Sequence, residues 1–143
     1  MNAANTYVHG ACNIGRAEIA KRNQVGWVGT IVTIAVWTVL FFTRVPVPWR
    51  LLLFFPASLA ASGFLQASMH FCAGFGSRGL FNFGDKVGMT ETVIQAEFRE
   101  KDRKKDRQIL GLSILIGVTV AVLAYFAPLC IRRACPSSRN HSA

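Results

Sequence analysis

Charge is absent from three long stretches of this chain and crowded into what lies between them. No Asp, Glu, Lys, Arg or His occurs from Trp27 to Thr43, from Leu51 to Met69, or from Ile109 to Ile131. A helix in a water-soluble bundle carries polar residues on its outer face every three or four positions. These stretches do not. Each approaches the ~20 apolar residues that cross a hydrocarbon core of ~30 Å. The pattern predicts an all-α membrane protein with three transmembrane helices, near residues 26–43, 51–71 and 109–131.

The polar segments complete the expected organisation. Residues 1–25 are read as a cytosolic N-terminal segment, loose at first. Ile14, Ala17, Ile19 and Ala20 then interleave with Arg16, Glu18, Lys21 and Arg22, as in a short interfacial helix. Because some two dozen mostly polar residues precede the first apolar stretch, the pattern is not that of a cleavable signal peptide. Residues 26–71 form a two-span helical hairpin, since Pro46 and Pro48 stiffen the short link between its arms and Trp27 and Trp49 suit the membrane interfaces. Residues 72–89 are a Gly/Phe-rich interfacial loop. Residues 90–108 read as a charged amphipathic helix, N-capped by Thr90 and carrying Glu97–Lys101 and Glu100–Lys104 pairs. That long cytosolic helix runs directly into the third span, residues 109–131, and residues 132–143 form an external tail.

The sequence holds sixteen Lys and Arg against seven Asp and Glu, a formal charge of +9. Their placement matters more than their sum. With three spans, eleven cations share a side with the N-terminus and five lie opposite. The positive-inside bias then predicts a multi-pass protein with its N-terminus cytoplasmic and its C-terminus outside, best suited to a bacterial inner membrane. Anionic lipids at the cytosolic face are the expected surface partner. Nucleic acid is not expected, because acids interrupt the cations and no aromatic platform accompanies them.

Small residues mark expected helix-packing faces. They include Gly63 and Ala67 in the second span, and Ser113, Gly117 and Ala121 at four-residue spacing in the third. Such faces suit another helix of the same chain, a partner subunit or a second copy.

Candidate chemistry is sparse. Cys130 and Cys135 are placed for a disulfide on an oxidising outer face. His9, Cys12, His70 and Cys72 gather two imidazoles and two thiols near one membrane face, a donor set of the kind that binds zinc or handles redox chemistry. Gln66 is the one strongly polar side chain deep within a span and, with His70, marks a candidate polar path. No nucleophile–base–orienter set is legible, so catalysis is not expected, and no cofactor is indicated.

Asn13-Ile14-Gly15, then Glu18-Ile19, Arg22 and Gly26 at the first span, resemble the opening of the YgaP-like transmembrane family. Phe71-Cys72 followed by Gly76 and Gly79 resembles its second half, although Ala73 stands where that family usually has Pro. The likeness covers roughly the first eighty residues. It implies a two-helix hairpin module that can pair as a dimer. Some relatives are joined to rhodanese domains, which carry sulfane sulfur on a cysteine, and this singles out Cys72.

The leading expectation is a non-catalytic accessory, scaffolding or assembly component of a membrane complex. The alternatives are a thiol, sulfur or metal-handling protein using Cys12, His70 and Cys72, and a small transporter or channel.

Overall fold

The computed structural model describes residues 7–43, 45–84 and 86–133, with side chains described through Ala127. Three helices are long and apolar enough to cross a membrane: Arg16–Phe42, the composite Val47–Ser68, and Ala96–Ala127 within a longer helix.

Helix α1 spans Arg16–Phe42 without a break. The expected interfacial helix and the first span are therefore one rod, because no Gly-Pro or turn pair interrupts them. Only 11 % of its most apolar window is buried within the protein. Val28, Ile31, Ile34, Val39 and Phe42 all point outward. Thr30, Thr33 and Thr38 each donate a hydroxyl to the carbonyl four residues earlier, at 2.7–2.9 Å. That bond hides the hydroxyl from an apolar surround, as lipid requires.

The second span begins as a 3-10 helix, Val47–Leu53, and continues as α2, Phe54–Ser68. Pro56 falls in the first turn of α2, where backbone N–H groups lack intrahelical partners in any case. The tighter 3-10 coil rises about 2.0 Å per residue against about 1.5 Å, so the composite reaches roughly 36 Å. It ends three residues before the expected Phe71. His70 adopts a left-handed φ of 52° that turns the chain out of the helix.

A short helix α3, Ala73–Arg78, closes on Gly79 in the left-handed conformation. The expected loop is thus partly helical. Next comes a small antiparallel ribbon of β1, Leu80–Phe81, and β2, Glu91–Thr92, in the register Leu80 to Thr92 and Phe81 to Glu91. This ribbon corrects two expectations. The chain is mostly rather than wholly helical, and the charged helix does not start at Thr90. Pairing with β1, extended by Val93 N–H to the Gly79 carbonyl at 2.8 Å, holds residues 91–93 out of helix. Helix α4 begins at Ala96 and runs to Arg133.

Helices α1 and α4 both pack on α2, which lies between them. The α1–α2 seam is made of backbone. A Cβ on Gly63 would come within 2.7 Å of the Gly26 Cα, and one on Gly29 within 2.8 Å of the Ala60 Cα. On α4, Ser113, Gly117 and Ala121 form a buried stripe, and a Cβ on Gly117 would collide with Ser58 of α2. Ala67 is half-buried and lines an open groove between α1 and α4.

Candidate functional site: the buried polar cap

Residues 7–15, the segment from His70 to Gln95, and the first turns of α4 meet at one end of the bundle. The meeting is organised by polar side chains that are almost fully enclosed: Asn13, Glu18, Asn82 and Asp102 are 0–2 % exposed. Buried polar groups cost stability unless bonded, so their partners reveal what the cap is for.

Asn13 acts as a short strand in side-chain form. Its Oδ1 accepts from the Cys72 N–H at 2.6 Å, and its Nδ2 donates to the Cys72 carbonyl at 3.1 Å. Its own backbone takes an N–H from Asn82 at 3.0 Å and gives one to His70 at 3.2 Å. One asparagine therefore joins the N-terminal segment to the end of the hairpin and to the stretch after β1.

Asp102 performs the same task from α4. Its carboxylate accepts the Gly10 N–H at 2.6 Å and the Tyr7 hydroxyl at 2.8 Å. Gly10, at φ 72°, closes a turn between Val8 and Cys12 and places that N–H against the helix. Burial, the Asp102 hydrogen bond and the Asp102 charge, in that order, push the Tyr7 phenol far above its ordinary range. His9 stacks flat on Phe98 of α4, ring centres 4.1 Å apart. The expected loose tail is therefore packed from Tyr7 onward.

Glu18, in the first turn of α1, reaches the opposite loop. Its Oε1 accepts the Gly88 N–H at 2.8 Å and an Asn82 amide N–H at 3.3 Å. Its Oε2 has no hydrogen bond but lies 3.8 Å from Arg22 Nη2. The same Arg22 nitrogen donates to the Cys72 thiol at 3.0 Å. Burial raises the Cys72 thiol above its ordinary value, and Arg22 offsets part of that rise. A thiol held protonated and 1 % exposed is a poor nucleophile.

The four donors His9, Cys12, His70 and Cys72 do not converge. Among the described residues no group of three or more His, Cys, Asp or Glu is placed to hold a metal ion. His9 is occupied by its stack, His70 is exposed at a turn, Cys12 is half-buried and Cys72 is taken by Arg22. The Cys130–Cys135 pairing and the tail at 134–143 lie outside the described residues. Gln66 is buried but committed: Nε2 donates to Ser62 at 2.7 Å and Oε1 accepts the Ala73 N–H at 3.2 Å. Its amide clamps the start of α3 to the end of α2.

Sequence reasoning missed Asp102 and Asn82 and gave Asn13 and Glu18 no contact role. Asp102 did carry a signal. Phe98, Asp102, Ile109 and Ser113 fall at helical spacing on one face, so this acid shares the buried stripe rather than the solvated side. No protein-family model, curated protein or solved structure matches this chain.

Proposed function

We propose that this is a non-catalytic accessory or assembly component of a membrane complex, offering its polar cap as a rigid cytosolic docking platform. The observation that carries this reading is the cap itself. Four enclosed polar side chains tie three distant chain segments to the head of a transmembrane bundle. Such pre-organisation lowers the ordering cost of binding another protein. The outward side of α4 bears the Glu97–Lys101 and Glu100–Lys104 ion pairs at 3.0 and 3.2 Å, with Arg103 and Arg107 also exposed. Exposed pairs of this kind add little stability but set the charge pattern a partner reads.

The cation distribution supports a cytoplasmic cap and N-terminus, with the link between the first two spans on the outer side of a bacterial inner membrane. The YgaP-like resemblance supports the hairpin as the membrane module, and Asn13 and Cys72, which belong to that likeness, are bonded to each other here.

Extraction in mild detergent tests the proposal. The tagged chain should migrate as an assembly with a second, stoichiometric subunit. The triple variant Lys101→Glu, Lys104→Glu, Arg107→Glu should lose that subunit while keeping its helical circular dichroism. A solitary chain under every gentle extraction contradicts the reading.

A second reading rests on the Arg22–Cys72 contact: a shielded thiol that becomes reactive when the cap opens. Thiol-labelling rates measured with and without a bound partner distinguish it.

A further inference from the structure

Arg50 lies in the 3-10 helix at the end of the bundle opposite the cap, and it is 6 % exposed. Its Nε and Nη1 are enclosed and have no acceptor among the described residues. The face of Trp37 lies 5.6 Å from the guanidinium carbon. An enclosed guanidinium calls for an anion.

The sequence offers none nearby. The six acids among the described residues, Glu18, Glu91, Glu97, Glu100, Asp102 and Asp106, belong to segments at the cap or on the cap side of α4. The link between the first two spans and the residues from 128 onward hold Arg44, Arg50, Arg132, Arg133 and Arg139, and no acid. Among the described residues nothing supplies the counter-charge, and an anion carried by another molecule would.

Directly below Arg50 is a trough suited to hydrocarbon. Trp37, Leu53, Val120, Leu123 and Ala124 line an open groove of about 320 Å³ between α1 and α4. It shares Thr33, Ile34 and Val120 with a larger groove of about 760 Å³ nearer the cap. Leu53 follows Arg50 by one 3-10 turn, which sets the cation roughly 6 Å farther toward the membrane edge. A charge above and an apolar slot below is the layout of a phospholipid: phosphate first, acyl chain inward.

We propose that Arg50 and this trough bind one phospholipid of the leaflet on the hairpin-link side. Its phosphodiester pairs with the guanidinium, and one acyl chain lies between α1 and α4 along Trp37 and Leu53. Guanidinium suits this role because its fork of N–H groups matches phosphate oxygens. The site is independent of the cap and of any partner bound there.

Native mass spectrometry of the full chain, released from detergent with phosphatidylglycerol at graded ratios, tests the assignment. The unaltered chain should retain one lipid, and Arg50→Gln should weaken that retention at least tenfold, with Arg50→Lys between them. Diacylglycerol with the same acyl chains should bind no better than to Arg50→Gln. Leu123→Trp, at an exposed wall of the trough, crowds the slot and leaves Arg50 in place, so it should also weaken lipid retention without lowering the melting temperature. Equal retention by Arg50→Gln, or by diacylglycerol, overturns the proposal. So does displacement by millimolar inorganic phosphate, which would make this a free-anion site. A groove-dependent dimer in which Leu123→Trp blocks self-association and leaves lipid bound would assign the trough to a second copy instead.

Discussion

Replacing Asp102 by Ala should release the N-terminal segment from the cap while leaving the membrane helices intact. The carboxylate is fully enclosed and accepts two hydrogen bonds, from Gly10 N–H at 2.6 Å and Tyr7 O–H at 2.8 Å. Hydrogen bonds to a charged acceptor contribute about 1.5–3 kcal/mol each. Tyr7 is only half-buried and regains water when freed, so the combined loss sits near the lower end, about 3 kcal/mol. That corresponds to roughly a 150-fold larger population in which residues 7–12 are detached.

Hydrogen exchange read by mass spectrometry in detergent isolates this effect. The peptide covering residues 7–15 should exchange about two orders of magnitude faster, whereas one from the middle of α1 should not change. Tyr7→Phe removes one of the two bonds, and the double variant should fall short of additivity by about 1–2 kcal/mol. Unchanged exchange in residues 7–15 of Asp102→Ala, or full additivity with Tyr7→Phe, would refute the role assigned to this acid.

Other consequences are equally direct. Gly63→Leu drives a side chain into the Gly26 backbone, 2.7 Å from its Cα, and should destabilise the α1–α2 seam by about 1–3 kcal/mol or more in a detergent melt, whereas Ala67→Leu at the open groove should shift it far less. Tyr7 and Cys72 are both raised above their ordinary values of 10.0 and 9.0, so folding favours their protonated forms. The stability they contribute is complete below those ordinary values and is lost as pH climbs past them, so the melting temperature should fall as pH rises above about 9, and less steeply above about 10 in Tyr7→Phe. Maleimide should modify half-buried Cys12 well before enclosed Cys72, and Asn13→Ala, which removes the two side-chain bonds that Asn13 makes to the Cys72 backbone, should bring Cys72 forward.

The three helices long and apolar enough to cross a membrane were legible because that requirement acts residue by residue. Uninterrupted apolar stretches, stiff Pro46 and Pro48, and small residues such as Gly63 and Gly117 are local facts. The cap was not legible, for the opposite reason. Glu91 and Thr92 leave the helix their neighbours favour because Phe81 and Leu80 pair with them, and nothing within the charged stretch announces that partner. Asn13 is informative only once Cys72, 59 positions away, is brought beside it. Tyr7 and Asp102 are 95 positions apart. His9, Cys12, His70 and Cys72 suggested a site by composition, yet composition cannot say that a stack on Phe98 and a bond from Arg22 occupy two of them. Periodicity through Phe98, Asp102 and Ile109 was the one readable clue to the cap, hidden beneath a run of charges.

Sided labelling of single cysteines tests most directly whether these helices cross a bilayer and separate the cap from the hairpin link. With the four native cysteines replaced by serine, Trp49→Cys and Ser77→Cys place one thiol at each end of the bundle. In intact spheroplasts a membrane-impermeant maleimide should label Trp49→Cys at once, and Ser77→Cys only after the membrane is opened. Labelling of both before permeabilisation, or a chain that washes off the membrane in alkaline carbonate, would contradict a three-span protein with a cytoplasmic cap.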